Sequence, residues 1–142
     1  MGTLSSAISA SASALSAERT RIEAAISNLA NAESTRSANG QPYRRRDVVL
    51  KAESVDGFNA VLGQSSSTGV KVAAIVEDQS EFRRRYEPSH PDADANGMVA
   101  LPNVDAPQEM VDMLGAARAY QANLAAIGII REIVAKALEL GR

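Results

Sequence analysis

The sequence predicts an α+β chain. Long N- and C-terminal helices pair as a coiled coil and flank a small antiparallel β-rich middle domain. Three observations carry this. Apolar residues recur in alternating steps of three and four over residues 1–33 and again over 104–142. Between them, over 34–103, the pattern changes to short β-branched runs broken by Gly, Pro and Asn. The long aliphatic side chains concentrate in the two terminal stretches. The ends are therefore the self-associating part and the middle is the soluble part.

In the first element the apolar positions are Leu4, Ile8, Leu15, Ile22, Ile26 and Leu29, with Ala12 and Ala25 filling the stripe. Ser5, Ser6, Ser9, Ser11, Ser13 and Ser16 crowd its first half. Serine competes with the helical backbone for hydrogen bonds and packs little apolar area. A helix of this kind depends on tertiary packing. Its first half is expected to be disordered until a partner supplies the other face.

In the middle, Val48-Val49-Leu50, Val70 to Val76, and Phe82 to Tyr86 read as strands. Loop signals separate them at Asn39-Gly40-Gln41-Pro42, Gly63 to Gly69, and His90 to Val99. A small antiparallel domain or a set of hairpins is expected.

The last element opens at Asp105, with Pro107 in the first turn and Gln108 at the capping-box position. Gly141 is the stop signal. The seam is Met110, Met113, Ala117, Tyr120, Leu124, Ile127, Val134 and Leu138, interrupted by Arg131. Leu114, Ile129, Ile130 and Ile133 lie off it, and no charge occurs from Ala119 to Ile130. A helix apolar nearly all round is buried nearly all round. One partner helix and a small sheet cannot cover it, so other chains are expected to. The two stripes, together with Ile130, form the candidate assembly interface.

Composition narrows the function. The chain has 142 residues, a formal net charge of −2, 4% aromatics, no Trp and no Cys. Disulfide and thiolate chemistry are excluded. The total charge implies neither a nucleic-acid nor a membrane partner. No apolar run is long enough to span a bilayer, and the start lacks the pattern of a cleavable signal.

The chemical candidates are few. Asp92, Asp94, Asn96 and Gly97 match the first half of an EF-hand loop, with Val99 at its usual apolar position. Asn103 stands where the closing Glu should be, and Pro88, Pro91 and Pro102 occupy places meant for helix. A surface turn between strands is the preferred reading. His90 is the only histidine and has no metal-ligand companions. No nucleophile elbow or phosphate loop is present, so neither an enzyme nor a cofactor is expected.

Two arginine triplets, Arg44-Arg45-Arg46 and Arg83-Arg84-Arg85, lie beside Tyr43, Phe82 and Tyr86. They could serve a small nucleic-acid-binding module, the alternative function. Residues 34–102 hold equal numbers of acidic and basic groups, however. Solvated strand faces or inter-subunit salt bridges are therefore the preferred use. Asn28, Asn31, Gln121 and Asn123 interrupt small or apolar helix surfaces. They either face solvent or set register between helices.

Ala14 to Arg21, Asn28-Leu29-Ala30-Asn31-Ala32-Glu33-Ser34-Thr35-Arg36 and Pro42-Tyr43-Arg44-Arg45 resemble the N-terminal signature of bacterial flagellar rod proteins. The block from His90 to Ile127 is similar to proximal members of that family. The likeness covers essentially the whole chain. Its motif residues are Asn28, Ala30, Asn31, Thr35, Pro42, Tyr43, Arg44 and Arg45, then Pro91, Gly97, Pro102, Asn103, Met110, Arg118, Tyr120 and Asn123. Gln41 departs from the Gly-Gly-Pro-Tyr of relatives, and Gly128 to Glu132 is unusually apolar.

The resemblance implies a structural subunit of the proximal rod in the basal body, needed for flagellum-dependent motility. Paired terminal helices would line a helical tube that transmits torque across the periplasm. It implies the partners FlgB, FlgF, FlgG, FliE and further copies of the chain. It also implies export by the flagellar type III apparatus without a cleaved signal.

Overall fold

A computed structural model describes residues 2–37, 39–54 and 68–140. Helix α1 (Gly2–Ala30) is followed by strands β1 (Arg46–Ser54), β2 (Thr68–Glu77), β3 (Arg83–Tyr86) and β4 (Met98–Leu101), then helix α2 (Ala106–Leu140). The expected stop at Gly141 and most of the expected loop Gly63–Gly69 lie outside the described residues.

The two terminal helices pack on each other. At 29 and 35 residues they are about 44 and 52 Å long. They run antiparallel: Asn28 meets Glu109, while Ile22 and Tyr120 line one recess further along. Helix α1 begins at Gly2, so the serine-rich half is helical rather than disordered. Its missing face is supplied within the chain, by α2 and by β2. Ser6 is buried. Ser13 donates to the Ala10 carbonyl at 2.7 Å and accepts the Val70 amide at 3.0 Å. A side chain that usually weakens a helix here ties it to a strand.

The closest seam also differs from the expected one. The buried α1 positions are Ser6, Ala17, Ala25 and Asn28, with Ala32 buried just past its end, while α2 contributes Glu109 and Ala116. Leu4, Ile8, Leu15, Ile22 and Leu29 are only half-buried beside this line, and Ala12 and Ile26 are exposed. Small residues let the backbones approach, and the long aliphatics spread to either side.

The middle is a pair of hairpins. β1 and β2 are antiparallel from Arg46↔Glu77 to Ser54↔Thr68, with a bulge at Val49/Leu50. Val48, Leu50, Val70 and Val72 are half-buried along one face of this ribbon, while Val49 and Val76 on the other face are exposed. β3 pairs with β4 from Arg83↔Leu101 to Tyr86↔Met98. β4 was not anticipated, because its first two residues belong to the stretch read as a turn. Deeply buried residues also occur in β4 and in the segment that leads from it into α2. Val99, Leu101, Pro102 and Val104 are buried there. α2 starts as expected, with the Glu109 amide donating to the Asp105 carbonyl at 3.0 Å.

Candidate functional site: a polar joint and an open helix face

Near the end of α1, Asn28 is 1% exposed and uses its whole side-chain amide. Its Nδ2 donates to Glu109 Oε2 and to the Arg46 carbonyl, each at 2.9 Å. Its Oδ1 accepts the Arg46 amide at 2.8 Å and the Tyr43 hydroxyl at 2.9 Å. Two donors and two acceptor positions are thus all matched. Glu109, 2% exposed, receives Arg45 Nε on its other oxygen at 2.6 Å. Arg45 also lies 3.5 Å from both Asp47 and Asp112. Burial depresses the Arg45 pKa, but the Glu109 hydrogen bond and the charges of Glu109, Asp47 and Asp112 outweigh it and leave the pKa raised.

The joint extends through the loop before β1. The Arg45 amide donates to Asn103 Oδ1 at 2.9 Å, and Asn103 Nδ2 donates to the Asp78 carbonyl and Ser80 Oγ. Arg44 donates to the Asp78 and Ser80 carbonyls and sits 4.4 Å over the Phe82 ring. In the second triplet, Arg83 donates to the carbonyls of Pro102 and Ala32. Arg85 pairs with Glu33 at 2.9 Å and with Glu87 at 3.0 Å. The triplets were expected to be solvated or to bridge subunits. Arg44, Arg45, Arg83 and Arg85 bond to neighbouring segments of the chain, while Arg46 and all three residues of the second triplet keep exposed positions, as a solvated strand face would. The residues a nucleic-acid module would use are largely committed.

Of the four helix amides, only Asn28 reaches the other helix. Asn31 and Asn123 donate back to the carbonyls of Ser27 and Ala119, and Gln121 is exposed. Glu109 was missed in the sequence. An acid in a helix's first turn reads as a dipole partner, and nothing local distinguishes it from Gln108.

The stretch His90 to Val99 is the turn expected, closing β3 onto β4. Asp94 Oδ1 accepts the amides of Asn96 and Met98 at 2.8 and 2.9 Å. These bonds hold its pKa below the ordinary value. Asp92 accepts Thr35 and pairs with Arg36, both at 2.8 Å. His90 Nδ1 accepts the Asp92 amide. Both carboxylates therefore serve protein donors. Gly97 has a φ of 74°, with Tyr86 and Pro88 close against it.

Helix α2 has two apolar sides. Met113, Tyr120, Ile127, Ile130 and Val134 are half-buried on the side of Glu109 and Ala116. The opposite side carries Val111, Leu114, Arg118, Ala122, Ala125, Ile129 and Ile133 in steps of three and four, all exposed. Val111 is 68% exposed and Ile129 59%. Met110 and Leu124 are exposed between the two sides, and Leu138 is exposed near the end of the helix. Part of the expected interface thus faces α1, and residues set off the seam form the open side.

A family model described as "Flagellar basal body rod FlgEFG protein C-terminal" matches residues 95–140. That span holds β4, α2 and Asn103 of the joint. Over nearly the full length, the chain is 42% identical to flagellar basal-body rod protein FlgC of Salmonella typhimurium, covering 92% of each. It is 42% identical to FlgC of Bacillus subtilis, covering 95% of the chain and 96% of the relative. Against FlgC of Agrobacterium fabrum the identity is 39%, covering 99% and 96%.

The chain belongs to the FlgC family of flagellar basal-body rod proteins. Members of the FlgC family are structural components of the rod, not enzymes, and this places the chain in the basal body. Among the described residues, no helix is long and apolar enough to cross a membrane. The residues on which the resemblance was read now have places. Asn28, Tyr43, Arg45 and Asn103 meet in the joint. Thr35 and Gly97 shape the turn, Pro102 is buried, and Arg118 lies on the open side of α2.

Proposed function

We propose that the chain builds the proximal rod by packing its terminal helices, residues 1–33 and 104–142, against those of neighbouring subunits. The middle, 34–103, then lies on the outside. The observation that carries this is the open side of α2, a run of exposed apolar residues opposite the face that α1 covers. Full burial of each Leu or Ile is worth roughly 1.5–3 kcal/mol. Contacts between unlike surfaces that do not close on themselves generate helical assemblies.

The neighbours on this reading are FlgB, FlgF, FlgG, FliE and further copies of the chain, and the assembled rod transmits torque. The subunit reaches the rod through the flagellar type III export apparatus. Absence of cysteine supports that route, since no disulfide can obstruct threading.

The reading is tested by placing a photo-cross-linking residue at Ile129 or at Glu53 of β1 in assembled basal bodies. Abundant adducts to other rod subunits from Ile129, with few from Glu53, are expected. The reverse pattern would move the interface to the middle.

A further inference from the structure

We infer that the Asn28–Glu109–Arg45 clasp sets the register of the terminal helix pair. The steric seam between the helices is poorly specifying. Ala17 and Ala25 of α1, and Ala32 just past its end, present little shape to Ala116 of α2. A slip of one helical turn, about 5.4 Å, costs such a seam few contacts.

The clasp is different. Glu109 is buried, and both its oxygens are used, one by Asn28 and one by Arg45. Moving α1 by one turn brings Ala24 or Ala25 to the place of Asn28 in one direction, and in the other runs past the end of the helix at Ala30. Neither side chain can donate a hydrogen bond, so a buried carboxylate oxygen would be left unmatched. The Asn28 amide would also lose the Arg46 backbone, whose N–H and C=O it holds together. A buried polar group with one complete set of partners defines one register, as a single Asn does in a coiled coil.

The clasp draws on three segments: α1, the loop before β1, and α2. Correct pairing of the two ends is therefore coupled to docking of the middle. This goes beyond the rod reading, because it concerns the chain alone.

The full-length chain lacks cysteine, so two introduced cysteines are its only spin-label sites. Labels at Glu23→Cys and Lys136→Cys, both exposed and outside the clasp, report helix register by pulsed electron resonance. One narrow distance distribution is expected. Asn28→Ala and Glu109→Leu should each add a component displaced by about one turn, about 5 Å, while helical circular dichroism is retained. Glu109→Gln, which keeps an oxygen for Asn28, should restore a single distribution.

The inference is overturned if both Asn28→Ala and Glu109→Leu keep the original single distance. It is also overturned if the chain with only the two labels already shows several registers. Should either variant lose helicity, Glu109→Gln decides: a single distance supports the clasp, and a displaced component contradicts it.

Discussion

At Gly97 backbone and side-chain demands coincide. The positive φ disfavours any L side chain, and an added Cβ would stand 2.9 Å from Tyr86 Cε2 and 3.1 Å from Pro88 Cβ. Gly40 has a similar φ of 79° but open space around it. Gly40→Ala should therefore cost about 1–2 kcal/mol, and Gly97→Ala about 2–4 kcal/mol, because the second adds a clash to the backbone strain. Urea denaturation of both variants checks the order.

Asp94 gives the same turn a pH response. Its hydrogen bonds to the Met98 and Asn96 amides depress its pKa. Its contribution is therefore complete above the ordinary carboxylate value and is lost as pH falls through the depressed one. Amide exchange at Met98 and Asn96 should quicken only in acid below the ordinary carboxylate range. Asp94→Asn, which keeps the acceptor oxygen, should remove that response. The turn itself was legible, since Asp, Asn and Gly favour turns by local bonds. The partners of Asp92, Thr35 and Arg36, were not, because they come from a distant part of the chain.

At the scale of the element, periodicity announced both helices, β-branched runs announced β1 and β2, and the aromatic–basic alternation of Phe82 to Tyr86 announced β3. Two features stayed hidden. Alanine reads as filler in a hydrophobic stripe, so the Ala17, Ala25 and Ala32 line was overshadowed by Leu and Ile. Serine reads as a helix breaker, yet Ser13 gains the Val70 amide as a partner only after β2 docks. The small seam carries a prediction. Ala25→Leu should destabilise the chain by about 1–3 kcal/mol through overpacking between the helices. The same change at exposed Ala122 should leave stability nearly unaltered. Thermal unfolding of the two variants separates them.

For the whole molecule, the joint and the open face divide the labour. Asn28, Arg45 and Glu109 hold the ends and the middle of one subunit together, with the Asn28 amide and both Glu109 oxygens bonded internally. On the proposed reading, the open side of α2 joins that subunit to others. That α2 carries a second apolar side could be read from the uncharged run Ala119 to Ile130. Which side remains uncovered could not, because that depends on where α1 lies. Glu109 was illegible for a related reason: its partners are 81 and 64 residues away.

The central claim is that the open side of α2 joins the subunit to the rod. The most direct test is a strain producing the double variant Ile129→Asp, Ile133→Asp, with the chain quantified in purified basal bodies and in the exported fraction. Export at the usual level, with the chain missing from the rod and swimming lost, is the predicted result. Basal bodies holding the variant at normal abundance, in cells that swim normally, would contradict it.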